Sequence, residues 1–273
     1  MPINVNLVFF KIYQGVKEIM STKRIEGQKV VITGASSGIG AAIAKRFAAE
    51  GASIWAAGGV NEEGLKKTID ACTDEGIKAG GKCYDLSNSN NAATVIIEGA
   101  DFLGGLDIFV SCAGGRNHKP LTEFTGEEVD FLFEVNSKSP FRASIEAAKI
   151  MKAQKSGRIL IIGSIHAMIG VENNALYCTT KAANHNMTRA LATELGPYGI
   201  RVNCLAPGTT VTDRVQKIHE DRPKYAESKL DNISVKRFAS PDEMANVAVF
   251  MVSEENDFMN GAIVTSDGGA TAL

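Results

Sequence analysis

The chain has 273 residues, of which 44% are hydrophobic and 22% charged, and its formal net charge is −2. That length fits one large α/β domain or two small ones, and the balanced charges give no sign of a nucleic-acid or membrane-surface partner. No apolar run approaches the ~20 residues that cross a bilayer. The five cysteines are odd in number, scattered and without a C-x-x-C pair, which favours reduced thiols in a cytoplasmic protein over disulfides or a metal site.

Residues 1–26 are predicted to be an extension ahead of the folded domain. An apolar patch at residues 7–10 is followed at once by Lys11, so it is too short for a signal peptide and lacks the flanks of one. The regular pattern begins only after Met20. We therefore expect residues 1–20 to be an appendage outside the core, whether an extension, an amphipathic arm or the product of an upstream start codon.

A short apolar strand at residues 28–33 opens the regular pattern, and a glycine-rich turn at 34–40 and a helix at 41–50 follow. The glycines allow close approach to the backbone, and the free N–H groups at the helix start favour an anion. Between a strand and a helix, the pattern Gly-x-x-x-Gly-x-Gly predicts a phosphate cradle. An ordinary strand-to-helix turn is the less favoured alternative.

The end of the second predicted strand, at residues 52–57, bears on which dinucleotide would fit. An acid there would bind the adenosine ribose of NAD, and an arginine would suit the 2′-phosphate of NADP. This sequence has neither, because it continues with two glycines, a valine and Asn61. The missing acid removes an obstacle to a 2′-phosphate and Ser36 offers it a hydroxyl, so the pattern leans towards NADP without excluding NAD.

A helix at 61–75 and a third strand at 81–84 lead to Asp85. Its carboxylate is a candidate for the adenine amino group, but Asp85 could equally be the N-cap of a helix that starts near residue 88. The fourth strand, 106–112, ends in small residues against which a flat ring or a ribose can lie. Residues 126–154 then have helical periodicity, which Pro140 interrupts.

One stretch in the middle of the chain carries groups that can move a proton. An apolar, β-branched run at residues 158–162 predicts a buried strand that delivers Ser164 at its C-terminal end. The next helix starts near Asn174, which places Tyr177 and Lys181 four residues apart on one face. A hydroxyl facing a Tyr/Lys pair can pass a proton to and from a carbonyl or alcohol oxygen.

A strand at 200–205, a helix at 241–253 and a last strand at 262–265 complete the pattern. Residues 209–237 are polar and only weakly periodic, and they are too long for a simple connection, so we expect a lid or binding segment there. Strands alternate with helices throughout, which predicts an α/β fold with one doubly wound parallel sheet flanked by helices.

Together these features resemble the short-chain dehydrogenase/reductase family over roughly residues 27–270. One departure is plain: the asparagines of the family's Asn-Asn-Ala-Gly segment are Ser111 and Cys112 here, so the side-chain bonds that brace this turn are replaced by Ser111 or lost. The matching residues are Thr33, Gly34, Gly38, Ile39, Gly40, Asp85, Ala113, Gly114, Asn136, Ser164, Tyr177, Lys181, Pro207, Gly208, Thr212, Asp267, Gly268 and Gly269.

The resemblance implies a Rossmann-type domain over residues 27–273, with a lid at about 209–237, that transfers a hydride between NADP or NAD and a carbonyl or secondary alcohol. Tyr177 would be the general acid or base, and Lys181 would favour its phenolate and hold the nicotinamide ribose. Ser164 would hold the substrate oxygen, and Asn136 would position a water that links Lys181 to solvent. The residues implied for the cofactor are Gly34, Ser36, Ser37, Gly38, Ile39, Gly40, Asp85, Leu86, Ala113, Gly114, Tyr177, Lys181, Pro207, Gly208, Thr210 and Thr212.

The family motifs do not define the substrate pocket. We expect His166 and Met168 to line it. The loop residues Arg116, Asn117 and His118 either form another wall, which would attract an acidic or polyhydroxylated substrate, or are solvated. Family habit suggests a homotetramer.

Other interpretations stay open. A thiol nucleophile, Cys112 or Cys178 with His166 as its base, is an alternative, although two inert thiols fit better. The chain could also be a cofactor-binding sensor or scaffold without catalysis, which the intact catalytic set disfavours. A 3-oxoacyl-thioester reductase, a sugar or polyol dehydrogenase and a hydroxysteroid-type enzyme are not separable by these motifs.

Overall fold

The structure of the protein is a computed structural model in which residues 23–221 and 223–272 are described. Within these residues, one sheet contains seven parallel strands in the order β3-β2-β1-β4-β5-β6-β7, which confirms the predicted doubly wound sheet. The strands are β1 Lys29–Thr33, β2 Ser53–Gly58, β3 Ala79–Cys83, β4 Ile108–Ser111, β5 Gly157–Ile162, β6 Ile200–Pro207 and β7 Ile263–Ser266.

Helices cover both faces of the sheet, because alternate residues of each buried strand point to opposite sides. In β1, Val30 and Ile32 belong to one hydrophobic cluster, whereas Val31 belongs to the other. Helices α1, α2 and α9 pack on the first side and α3, α5 and α6 on the second. The helices are α1 Gly38–Ala49, α2 Glu62–Asp74, α3 Asn90–Leu103, α4 Gly126–Phe133, α5 Ser139–Gln154, α6 Ala175–Leu195, α7 Asp213–Asp221, α8 Pro223–Asp231 and α9 Pro241–Val252.

The predicted helix at 126–154 is in fact three pieces. Between α4 and α5, the residues Glu134–Lys138 form a π-helical segment, and Asn136 lies in it. Pro140 lies in the first turn of α5, directly after this π-helical segment. The backbone stays helical through all three pieces, and the regular α-helical hydrogen bonding is interrupted just before Pro140.

The two ends of the chain differ in what the structure describes. Ile25 is 3% exposed and packs into the core, two residues before the domain boundary expected from the sequence. The predicted arm at residues 1–20 lies outside the described residues.

The segment 209–237 contains α7 and α8, so the predicted lid is partly helical. Among the described helices, none has the length and apolar character needed to cross a membrane.

The strand order determines where a site can form. Strand β1 lies between β2 and β4, so the chain first runs outward to β3 and then crosses to the other side of β1. Connections leave the C-terminal ends of β1 and β4 in opposite directions, and ligands of such sheets bind in the crevice there. Thr33 ends β1 and Ser111 ends β4 at this crevice.

Candidate active site

The glycine turn after β1 is packed so tightly that only glycines fit. A Cβ on Gly34 (φ +72°) would lie 2.7 Å from the backbone nitrogen of Ala113, and one on Gly40 would lie 2.2 Å from the Gly34 carbonyl oxygen. Ser37 is the N-cap of α1, but its side chain makes no capping bond, and the first turn holds no acid. The open N–H groups and the absence of negative charge in this turn suit a phosphate.

The end of β2 leaves space beside this turn. An added Cβ on Gly59 would meet nothing within 4 Å, and Val60 is fully exposed. The Asn61 side chain accepts a 2.9 Å hydrogen bond from the Gly64 N–H, so it is committed to capping α2. Ser36 is half-buried, and its carbonyl oxygen packs against Gly64 in the first turn of α2.

Asp85 is not the N-cap of the next helix, so that alternative was wrong. Helix α3 begins at Asn90 with Ser89 in the N-cap position. The Asp85 carboxylate instead accepts hydrogen bonds from the backbone N–H and the hydroxyl of Ser87, at 2.9 and 2.6 Å, and these bonds lower its pKa. The neighbouring Leu86 is buried and lines a small internal cavity of about 10 Å³.

The loop after β4 is braced from β1. The Thr33 hydroxyl oxygen accepts the N–H groups of Cys112 and Ala113, at 3.1 and 3.3 Å. From the family resemblance we expected that Ser111 replaces the side-chain bonds of the missing asparagines or that these bonds are lost. In the structure, the Thr33 side chain braces this turn. Gly34 also packs against Ala113. The glycine turn and the floor of the predicted cofactor site, formed by Ala113 and Gly114, are therefore one packed unit.

Asn136 joins this loop to α6. Its Oδ1 accepts the Gly115 N–H at 2.7 Å, and its Nδ2 donates to the Gly115 carbonyl and to the Thr180 hydroxyl, both at 3.0 Å. Both N–H groups of the fully buried amide are thus committed to protein atoms. The water relay implied by the family resemblance stays a prediction, and for the side chain it depends on the second lone pair of Oδ1.

The structure brings Ser164, Tyr177 and Lys181 together at the sheet edge. Ser164 is 8% exposed, and its hydroxyl oxygen accepts the His166 N–H at 3.1 Å. Lys181 is 5% exposed, and its Nζ donates a 2.9 Å hydrogen bond to the carbonyl of Ile162, the last residue of β5. The same Nζ lies 5.9 Å from the centroid of the Tyr177 ring. The three groups that can hold and move a proton are therefore fixed by β5 and the first two turns of α6.

His166 and Met168 lie on the open side of this group. The His166 ring stands edge-on to Tyr177 with centroids 5.9 Å apart, and Met168 is largely exposed. Desolvation, followed by the charges of Arg116 and other cations, lowers the pKa of His166 to about 4. His166 is thus neutral near pH 7 and can serve as a hydrogen-bonding wall of a pocket.

The segment after β6 closes the other side of the glycine turn. A Cβ on Gly38 would come within 2.9 Å of the Thr212 methyl group, and one on Gly208 within 2.7 Å of the Asp267 Cα. Thr210 is buried and its hydroxyl donates to the Gly208 carbonyl at 3.2 Å. The stretch that starts at Pro207 therefore lies beside the predicted cofactor cradle.

The Cys112 thiol is a poor candidate for the nucleophile considered from the sequence. Desolvation raises the pKa of the Cys112 thiol to about 11, although Lys181 opposes this, so the thiol is protonated and unreactive at neutral pH. Within residues 23–221 and 223–272, no group of three His, Cys, Asp or Glu side chains is placed to hold a metal ion.

Two functional residues were not singled out from the sequence. Thr33 was noted only as part of a motif, and nothing in the linear sequence indicates that it would reach Cys112 and Ala113. Asn174 was noted only as a helix start, yet it is fully buried and its Oδ1 accepts a hydrogen bond from Arg116. Both contacts join positions far apart in the chain.

Comparisons with known proteins agree with this geometry. Residues 34–271 match a family model described as enoyl-(acyl carrier protein) reductase. An uncharacterized oxidoreductase of Thermotoga maritima is 34% identical over 251 residues, which cover 91% of this chain and 99% of that protein. The 2,3-dihydro-2,3-dihydroxybenzoate dehydrogenase of Bacillus subtilis is 33% identical over 259 residues, which cover 92% of this chain and 99% of that protein.

Solved structures give the same result. The crystal structure of a short chain dehydrogenase from Burkholderia cenocepacia in complex with NADP superposes with a TM-score of 0.83 at 32% identity, and the match covers 90% of this chain and 99% of that chain.

Proposed function

The chain belongs to the short-chain dehydrogenase/reductase family and is an NAD(P)-dependent oxidoreductase of CH–OH and C=O groups, and on that premise we propose that Tyr177 carries the proton as it interconverts a carbonyl compound and its secondary alcohol. One observation carries the proposal: Ser164, Tyr177 and Lys181 meet at the sheet edge, beside a glycine turn that suits a phosphate.

The hydrogen bonds at the site support the proposed roles. The Ser164 oxygen accepts the His166 N–H, so its own hydrogen is left to donate to a substrate oxygen. Lys181 uses one N–H on the Ile162 carbonyl and keeps two, for the nicotinamide ribose and for stabilising a phenolate. Tyr177 then gives its proton to the carbonyl oxygen in reduction and takes it from the alcohol in oxidation.

The cofactor is proposed to lie along the glycine turn and the floor at Ala113 and Gly114. When bound, the dinucleotide supplies or accepts the hydride. NADP is the proposed preference, because the end of β2 has no acid, Gly59 leaves open space and Ser36 offers a hydroxyl. A higher kcat/KM with NADPH than with NADH is expected, and a preference for NADH would contradict this choice.

Tyr177→Phe tests the central assignment, because it removes only the phenolic hydroxyl. Turnover should fall by about 10²–10⁴-fold while cofactor affinity stays within a small factor, as measured by nicotinamide absorbance and by fluorescence titration. Tyr198→Phe is the matched control, since Tyr198 lies beyond the far end of α6 and its loss should leave turnover unchanged.

Retained turnover in Tyr177→Phe would contradict the assignment. If the wild-type protein binds NADPH but turns over no member of a broad carbonyl panel, that result would instead favour the sensor or scaffold hypothesis.

The protein is further proposed to be a cytoplasmic homotetramer. Its five cysteines are free thiols, as expected in a reducing compartment. Apolar side chains on α4 and α5 are 42–48% exposed, at Phe131, Phe141 and Ile145, and their burial would favour association. Sedimentation as a monomer would contradict the tetramer.

A further inference from the structure

A half-buried arginine lies over the tyrosine of the site. Arg116 is in the loop after β4, and its guanidinium carbon is 5.3 Å from the centroid of the Tyr177 ring. Its Nε donates a 2.8 Å hydrogen bond to Oδ1 of Asn174, which is completely buried immediately before α6. The guanidinium is therefore anchored to the same helix start that carries Tyr177, so its position relative to the phenol is set.

This anchoring presents the guanidinium to an incoming ligand. The bond through Nε leaves the Nη1 and Nη2 groups, and a planar guanidinium matches a carboxylate in shape and charge. The carboxylate of Glu128, which lies further along the same part of the chain, pairs with Lys119 at 2.5 Å. That acid is thus balanced by a lysine rather than by Arg116.

A cleft lies beside His118, two residues further along the same loop. His118 and, on α8, Lys229 line this cleft of about 370 Å³ together with residues 171–173, among which Glu172 is the one acid. Desolvation, followed by the charge of Arg116, lowers the pKa of His166. The Nδ1 of His166 is buried without a hydrogen-bond partner among the described residues. The Arg116 guanidinium and the His166 ring thus both lie against the Tyr177 ring, one from the loop after β4 and the other from the turn after β5.

We propose that Arg116 binds a carboxylate of the substrate, so that the preferred substrate is a small hydroxy acid or oxo acid. The inference rests on the proposed function, because it places the anion beside the phenol that would carry the proton. Arg116 is then a specificity-determining residue that orients the substrate, and it takes no part in proton transfer.

The test uses matched pairs of substrates, short hydroxy acids and their methyl esters, with NADP or NAD as the second substrate. The wild-type enzyme should prefer an acid over its ester. Arg116→Met should raise KM for the acid by about 10–100-fold, the range for charge-assisted hydrogen bonds, and should leave the ester within a few-fold. Lys119→Met removes one positive charge from the same loop and is the control that should keep the preference.

Several outcomes would overturn the proposal. Acids that react no better than their esters would refute carboxylate recognition and leave the oxidoreductase assignment standing. An equal loss with both members of a pair, together with a lower Tm, would show that Arg116 only braces α6 through Asn174. If no pair reacts, calorimetric binding to the NADP-loaded protein decides: acid binding that Arg116→Met abolishes supports the carboxylate site and counts against the proposed function, whereas equal binding of acid and ester refutes the site.

Discussion

Replacing Thr33 by valine tests whether the bond across two strand ends holds the floor of the cofactor site. Valine keeps the branched shape and removes the oxygen that accepts the N–H groups of Cys112 and Ala113. Thr33 is 3% exposed, so water cannot readily take the place of the lost acceptor. Both N–H groups are then left without their partner.

The expected cost follows from these two groups. Each buried donor left unsatisfied costs about 1–3 kcal/mol, and the 3.3 Å bond to Ala113 is the weaker of the two, so we expect a loss of about 2–4 kcal/mol in the free energy of unfolding. Gly34 leaves no space for Ala113 to shift towards it. Movement of the floor should therefore disturb the glycine turn, and NADPH affinity should fall by roughly tenfold, which is about 1.4 kcal/mol.

Urea unfolding measures the stability and a fluorescence titration measures the affinity for NADPH. Thr33→Ser is the matched control, since it keeps the oxygen and loses one methyl group, at a cost of about 1 kcal/mol. Wild-type stability and NADPH affinity in Thr33→Val would refute the reasoning. Equal losses in both variants would assign the effect to methyl packing instead of the hydrogen bonds.

Two further predictions concern the turn and the core. Gly40→Ala places a Cβ 2.2 Å from the Gly34 oxygen, so NADPH affinity should fall at least roughly tenfold in the same titration, and an unchanged affinity would contradict the tight packing. His185 is 4% exposed, and burial, followed by the charges of Arg189 and Lys181, lowers its pKa to about 4. The unfolded chain, with a histidine pKa of about 6.5, binds the proton more readily, so His185 alone should lower the stability by about 2 kcal/mol from pH 7 to pH 5, in addition to the fall caused by His166. Urea unfolding at both pH values should show a smaller drop for His185→Gln, and an equal drop would exclude His185 as its source.

Much of the fold was predictable because local signals agreed with the final packing. The apolar run at 28–33 and the glycines after it predicted β1 and the turn, and β1 is found at Lys29–Thr33. The four-residue spacing of Tyr177 and Lys181 predicted a shared helix face, and both lie in α6 beside Ser164. Each of these features depends on residues close together in the chain.

The remaining features depend on contacts that the linear sequence does not encode locally. Nothing in the local sequence marks Glu134–Lys138 as π-helical, and the bonds of the Asn136 side chain go to Gly115 and Thr180, which lie far away in the chain. Asp85 was a reasonable N-cap by residue type, but α3 begins later, at Asn90. Arg116 depends on Asn174, 58 residues further along the chain, so the sequence left open whether it was a pocket wall or a solvated side chain.

The groups proposed to handle the proton and the group proposed to bind the substrate come from different kinds of structure. Lys181 is tied to the last carbonyl of β5, and Ser164 follows that strand, whereas Arg116 belongs to a loop. Loops accept substitutions at small cost in stability, while buried polar groups do not. On the proposed roles, proteins that share this scaffold can diverge in substrate preference through changes in one loop while they keep the same buried polar groups.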